Sequence, residues 1–307
     1  MKTLKSVCKK CSDASLRVYT ASIRRLYKLF SEEDSAPKLE DFPKQSRWLM
    51  SEKLEKAYKN LPLKSRRHLS AAAVIAGKMY DLDSDNKWSK FMKKDVDEYE
   101  QKRNQNKMSK YEHENIPSNG LKDIKKALKI YRTQIKNIFT KKASLANLYK
   151  WQFYLALKLM STSAPVRNDL PTLDIETETG NYLKRTKNSF TIVLQQFKNS
   201  KKLGPREIKL NRANNMEVKK FLKYRDKLDL PHTKLFSLRS GKPMTKTAFS
   251  QGLIKLTNKL LDKKIGSRLL RVMYATQHSD TLQKASEITD KMLHAEGGKQ
   301  TRQYVKK

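Results

Sequence analysis

Apolar residues return every three or four positions near the start of the chain. Leu16, Tyr19, Ile23, Leu26, Tyr27 and Phe30 share one side of a helix, while Arg17, Arg24, Arg25 and Lys28 fall largely on the other. Ser12, Asp13 and Ser15 offer N-caps for it. A second helix is predicted from Ser65 to Met79, opened by the basic cluster Lys64-Ser65-Arg66-Arg67-His68 and carrying Leu69, Ala72, Ala73, Ile75, Ala76 and Met79. The small residues between Ala71 and Ala76 would let two helices approach closely. A third helix is expected around Trp88 to Lys107. Between Glu100 and Gly120 the apolar period fades into Lys, Asn, Gln and Glu and ends in Ile116-Pro117-Ser118-Asn119-Gly120, which reads as a linker.

Beyond the linker the period of 3.6 returns at Leu121 to Phe139 and Leu145 to Ser161, and then changes. Phe190 to Phe197 and Glu207 to Leu210 are β-rich runs flanking a turn of Lys, Asn, Ser, Gly and Pro, which predicts a hairpin. Helices resume at Met216 to Leu228, Lys246 to Leu261, Ser267 to Gln277 and Asp280 to Leu293. The expected fold class is mainly α with a small antiparallel sheet. A length of 307 residues suits two domains, placed at 1–110 and 111–307.

Charge then narrows the partners. The chain carries 67 Lys+Arg against 31 Asp+Glu, a formal net charge of +36, and such an excess repels itself unless an anion neutralises it. Nucleic acid is the expected partner. Hydrophobic residues make up 37% of the chain, enough for packed cores rather than a disordered basic tail. Cys8 and Cys11 are the two cysteines; they exclude a disulfide framework and suggest a reducing compartment. Their spacing suits zinc, but no second ligand pair follows, so no metal is expected. The segment MKTLKSVCKKC lacks the apolar core of a signal peptide, and Lys150 and Lys158 interrupt the most apolar window, Leu145 to Met160. A soluble intracellular protein, not a membrane protein, is expected to accompany DNA.

The candidate chemistry lies in four boxes. Pro165-Val166-Arg167-Asn168-Asp169-Leu170 follows an apolar helix; a lysine-rich turn runs Phe197-Lys198-Asn199-Ser200-Lys201-Lys202-Leu203-Gly204; Arg268-Leu269-Leu270-Arg271 opens a helix that continues into Tyr274-Ala275-Thr276; and Leu293-His294 precedes Tyr304. Together they resemble the catalytic domain of the tyrosine recombinases, the phage-type integrases. That resemblance implies a helical core-binding domain followed by a catalytic domain that breaks and rejoins double-stranded DNA through a 3′-phosphotyrosyl intermediate. It assigns Arg167 and Arg271 as the two catalytic arginines, Lys198 as the hairpin lysine with Lys201 and Lys202 as competitors, His294 as the histidine and Tyr304 as the nucleophile. Asp169 stands near the acidic residue that orients the first box, or is a helix N-cap.

Two departures from the pattern stand out. Arg268 occupies the place of a usual histidine; an arginine keeps its proton at neutral pH and cannot be a general base, so a phosphate contact is its expected role. His294 lies 23 residues after Arg271 at the expected place, but counted back from Tyr304 it is one residue early, so an insertion near Gly297-Gly298 is assumed.

The residue types suit phosphodiester chemistry without a cofactor. Two guanidiniums neutralise charge developing on the scissile phosphate, and a lysine ammonium protonates the leaving 5′ oxygen. The tyrosine, with a pKa of about 10, attacks once they are in place. Arg24, Arg25, Lys64, Arg66, Arg67, Lys201 and Lys202 are expected to meet DNA phosphates.

The resemblance also implies a homotetramer on paired DNA sites; with Val305-Lys306-Lys307 after Tyr304, a monomer is expected when DNA is absent. The first arginine box and the lysine turn are similar to recombinases of large DNA viruses and eukaryotic mobile elements. Two other functions share parts of the pattern. A type IB topoisomerase has the same residue set but carries a longer segment after its tyrosine. A DNA-binding architectural protein without catalysis would explain Arg268.

Overall fold

A computed structural model describes residues 2–284, apart from 106, 140, 141, 164 and 188. The chain divides into two compact units, Met1–Lys107 and Met108–Lys307. Among the described residues no helix is long and apolar enough to cross a membrane.

The first unit holds α1 (Leu4–Val7), α2 (Asp13–Ser31), α3 (Arg47–Met50), α4 (Glu52–Lys59), α5 (Leu63–Met79) and α6 (Lys87–Asn104). The expected amphipathic pattern of α2 is observed: Ile23 and Leu26 are buried, Arg24 and Arg25 exposed, and the Ser12 hydroxyl accepts the Ser15 N–H as the N-cap. Ala72, Ala73 and Ala76 are fully buried on α5, which packs against α2 and α6. Bulk around these small residues comes from Trp48, Tyr58 and Trp88. The Trp88 indole donates to the Leu49 carbonyl at 2.8 Å, so a fully buried ring leaves no polar atom unpaired. Cys8 and Cys11 form a disulfide between α1 and α2.

The second unit begins inside the segment expected to be a linker. Lys110–Asn115 forms α7, stabilised by a capping box in which the Ser109 hydroxyl accepts the Glu112 N–H and the Glu112 carboxylate accepts the Ser109 N–H. Then come α8 (Leu121–Gln134), a 3-10 turn (Lys136–Phe139) and α9 (Leu145–Thr162). Beyond α9 lie β1 (Asn181–Arg185), β2 (Phe190–Leu194), α10 (Ser200–Leu203), β3 (Arg206–Lys209), α11 (Arg212–Arg225), α12 (Lys246–Leu261) and α13 (Ser267–Gln277). Residues 279–284 are helical again, and the rest of the helix expected to Leu293 lies outside the described residues.

The hairpin expected from the β-rich runs is β2 and β3, antiparallel with Ile192 opposite Ile208. β1, absent from the expectation, pairs antiparallel with the other side of β2, giving the order β1-β2-β3. The fold is thus mainly α with a small antiparallel sheet.

The core of this unit is built around α9, whose Trp151, Phe153, Tyr154, Leu155 and Leu157 are all buried. α8, α11, α12 and α13 pack on it. α12 reaches it at Gly252, where an added Cβ would lie 2.0 Å from the Phe153 ring; even alanine would force the buried ring to move. The carboxylate of Glu217 on α11 is 4% exposed and is held by the Arg132 guanidinium and the Trp151 indole, each at 3.0 Å, joining α8, α9 and α11.

Candidate active site

α13 explains how two arginines come to share one face. Leu269, Leu270 and Met273 are buried against the core, so Arg268 and Arg271, one helical turn apart, project together from the opposite side. Arg271 is partly buried, and its Nε atom is buried without a hydrogen-bond partner among the described residues. Burial first, then the charges of Arg167 and Arg268, push its pKa below the ordinary value, with Asp169 opposing. Arg167 and Arg268, far apart in sequence, both lie within electrostatic reach of Arg271. Guanidiniums crowded in this way make a candidate seat for an anion, because like charges at this range repel.

Carboxylates border the seat. Asp169, 5% exposed, follows Arg167 and accepts the Lys246 ammonium at 2.8 Å from α12. It occupies the N-cap position of the 3-10 turn Leu170–Thr172 without a side-chain cap hydrogen bond, and its carboxylate goes to the ion pair instead. Glu112 accepts Arg268 at 2.8 Å. The Oδ1 atom of Asn168, next to Arg167, is buried and unpartnered. Neither Lys246 nor Glu112 was among the sequence candidates. Lys246 carried no signal in sequence, whereas Ser109-x-x-Glu112 is a readable capping box whose second use no local pattern announces.

Lys198, Lys201 and Lys202 are exposed on the turn between β2 and β3, where α10 occupies the centre, and none of them forms an ion pair among the described residues. The turn is anchored upstream. The buried Asn181 side chain accepts the N–H groups of Gln195 (3.0 Å) and Gln196 (2.8 Å) and donates to the Gln196 carbonyl at 2.8 Å. It fixes the strand end two residues before Lys198. His294 and Tyr304 lie outside the described residues.

The basic residues of the first unit separate into two groups. Lys64 and Arg25 are exposed, and Arg67 stacks over the Tyr99 ring at 4.1 Å. Burial together with the neighbouring charges of Arg67 and Lys64 lowers the pKa of His68, so this end of α5 is electropositive. Arg66 is a correction to its expected role in DNA contact: its guanidinium donates to Asp95 at 3.1 Å and to Glu98 at 3.2 Å. Asp95 also accepts the buried Tyr58 hydroxyl, so Arg66 completes an internal network. Arg24, exposed, donates to the carbonyls of Pro37 (3.0 Å) and Ala36 (2.6 Å), fastening the loop after α2.

No family profile and no curated protein matches the sequence. Solved structures do. The chain is similar to the XerH site-specific recombinase bound to palindromic difH substrate in a post-cleavage complex, with a TM-score of 0.52 and 16% identity over 95% of this chain and 77% of that one. It is similar to XerH bound to difH in a pre-cleavage complex as well, with a TM-score of 0.50 and 15% identity over 91% and 76% of the two chains. The fold is that of the tyrosine recombinases. At such identities the likeness carries the architecture; what the side chains do must come from the chemistry of this chain.

Proposed function

We propose that this protein is a tyrosine-type recombinase, which breaks and rejoins duplex DNA through a covalent 3′-phosphotyrosyl bond. The observation that carries the reading is the arginine cluster on this fold, with Arg271 partly buried beside Arg167 and its Nε unpartnered. In the reaction, Arg167 and Arg271 grip the scissile phosphate and neutralise the charge that develops as its geometry becomes pentacoordinate. Arg268 donates to the same phosphate or the next one. The Tyr304 oxygen, losing its proton to solvent, attacks phosphorus, and the 5′ oxygen leaves with a proton from Lys198. His294 assists at the phosphate. The bond energy is kept in the phosphotyrosyl linkage, so the scheme calls for no metal and no nucleotide.

The first unit, with Lys64, Arg67 and the exposed face of α2, supplies non-specific phosphate contacts, joined by Lys201 and Lys202 on the turn. Recombination would need two duplexes and four protomers, assembled from monomers on DNA. Integration, including that of a viral or mobile element, is one use of this chemistry and excision another.

A nicked suicide duplex, from which the cleaved strand diffuses away, tests the reading. Wild-type protein should become covalently attached to DNA and Tyr304→Phe should not, although it should bind equally well. Attachment that survives in Tyr304→Phe would move the nucleophile, with Tyr274 the first to examine. No attachment by wild-type protein would leave a DNA-binding architectural role. Relaxation of plasmid by a monomer, without joined products, would indicate a topoisomerase.

A further inference from the structure

We propose that Glu112 is the positioning residue of the arginine cluster: it holds Arg268, which stands in the place of a histidine, so that one edge of the guanidinium is tied and the rest faces the DNA phosphate. This rests on the breaking-and-joining reading.

Glu112 is fixed before Arg268 meets it. One carboxylate oxygen accepts both the N–H and the hydroxyl of Ser109, at 2.8 and 2.7 Å, which leaves the other to receive Arg268 at 2.8 Å. The carboxylate is 8% exposed, so solvent does not compete for it. The helix that bears it is itself fastened to the segment leading into α13. The Tyr111 hydroxyl donates to the Lys264 carbonyl (2.8 Å), the Lys264 N–H to Asn115 (2.7 Å) and the Lys263 ammonium to the Glu114 carbonyl (2.7 Å). Arg268 is thus gripped by a preassembled acceptor. Its side chain remains 63% exposed, leaving donors to reach an incoming phosphate.

The charges assign the work between two carboxylates. Asp169 is taken by Lys246, so Glu112 is the carboxylate that answers Arg268. It offsets the repulsion that a third guanidinium brings to Arg167 and Arg271, without placing a carboxylate on either of them. A histidine at position 268 would need no such partner, because it can be neutral; an arginine cannot.

The test uses the full-length protein and the nicked duplex, comparing Glu112→Gln, Arg268→Gln and the double variant. Glutamine retains the capping box but loses the charge that Ser109 and Arg268 stabilise, so thermal melting should fall only slightly. Cleavage at saturating DNA should fall about ten- to a hundredfold in Glu112→Gln, the scale of a misplaced catalytic group, with duplex affinity within about twofold of wild type. The double variant should be no slower than Arg268→Gln, because the carboxylate acts through that arginine. Unchanged cleavage by Glu112→Gln, or losses that multiply in the double variant, would overturn the inference while wild-type attachment keeps the parent reading intact. Wild-type protein that never attaches to DNA would overturn both.

Discussion

Arg66 and Arg271 are both helical arginines drawn partly out of solvent with basic neighbours in sequence, and they have opposite surroundings. Arg66 meets two carboxylates, Asp95 and Glu98. Arg271 has Arg167 and Arg268 beside it and an Nε atom without a partner. Internal neutralisation makes an arginine a strut; concentrated like charge leaves it waiting for an anion. Basic composition alone cannot tell the two apart, because the difference is made by acids placed elsewhere in the chain.

The largest effects should come from breaking the unsatisfied side of this contrast. Arg167→Ala and Arg271→Ala should each lower cleavage of a suicide duplex by about 10²–10³-fold or more, the scale of a lost transition-state donor. Neither should lower the melting temperature, since a charge is removed from a like-charged cluster. A variant that both melts early and keeps cleaving would make Arg271 a strut after all. Arg268→His, which restores the usual residue, should be tolerated, and a gain in rate would mark Arg268 as a compromise.

Lys198 comes next. Lys198→Ala should cleave ordinary DNA about 10²-fold more slowly, within the range of a lost general acid. It should recover on a substrate whose bridging 5′ oxygen is sulfur, because a thiolate leaves without protonation. Arg271→Ala should stay defective on both. Rescue seen in Lys201→Ala or Lys202→Ala instead would move the role within the turn, and rescue in none of them would remove the turn from the chemistry.

How far the sequence could be read follows from which interactions are local. The helices were legible because burial on one face imposes a period, and α12 and α13 begin and end where that period does. The hairpin was legible from two β-rich runs flanking a turn, but β1 was not. Asn181-Tyr182-Leu183-Lys184-Arg185 is short and ends in two cations, and it becomes a strand through pairing with β2. α7 was hidden in a polar stretch because its stability comes from a capping box and from contacts about 150 residues away. Arg167 and Arg271 were assigned through the resemblance, whereas the sharing of one face by Arg268 and Arg271 is local, one helical turn apart. The role of Arg66 could not be anticipated, as Asp95 and Glu98 lie 29 and 32 residues further on.

The strut side of the contrast predicts loss of stability without loss of chemistry. Arg66→Ala strands the buried carboxylate of Asp95 and should destabilise the first unit by about 2–3 kcal/mol. That is below the 3–5 kcal/mol of a fully buried pair, because Arg66 is 21% exposed. Urea denaturation checks this, and a variant as stable as wild type would show that Tyr58 alone satisfies Asp95.

A weaker effect concerns pH. The Ser109 N–H and hydroxyl, aided by Arg268 and opposed by burial, hold the Glu112 carboxyl below its ordinary value. A depressed acid contributes stability above its unfolded value of about 4.3, and that contribution is lost as pH falls through the folded value. The melting difference between wild type and Arg268→Gln should therefore hold through neutral pH and narrow below about pH 4. A difference that instead collapses on the alkaline side would remove Glu112 from it.

The smallest effect tests the comparison within one pair of neighbours. Arg66 spends its guanidinium on Asp95 and Glu98, whereas Arg67 lies on Tyr99 with no carboxylate and beside the exposed Lys64. A cation that neutralises one phosphate contributes about 0.9 to the slope of log affinity against log salt on duplex DNA. Arg67→Met should therefore reduce that slope by nearly one unit, and weaken binding evenly across sequences, while Arg66→Met should leave it unchanged. Methionine keeps much of the stem that packs under each guanidinium, so the slope reads charge and not lost contact area. Equal slopes in the two variants and wild type would make Arg67 a second strut, held by its aromatic neighbour, and leave Lys64 and Arg25 as the cations of the first unit to test against DNA. A reduced slope for Arg66→Met would mean that its two carboxylates do not hold it when a phosphate competes, and would erase the distinction between the two arginines.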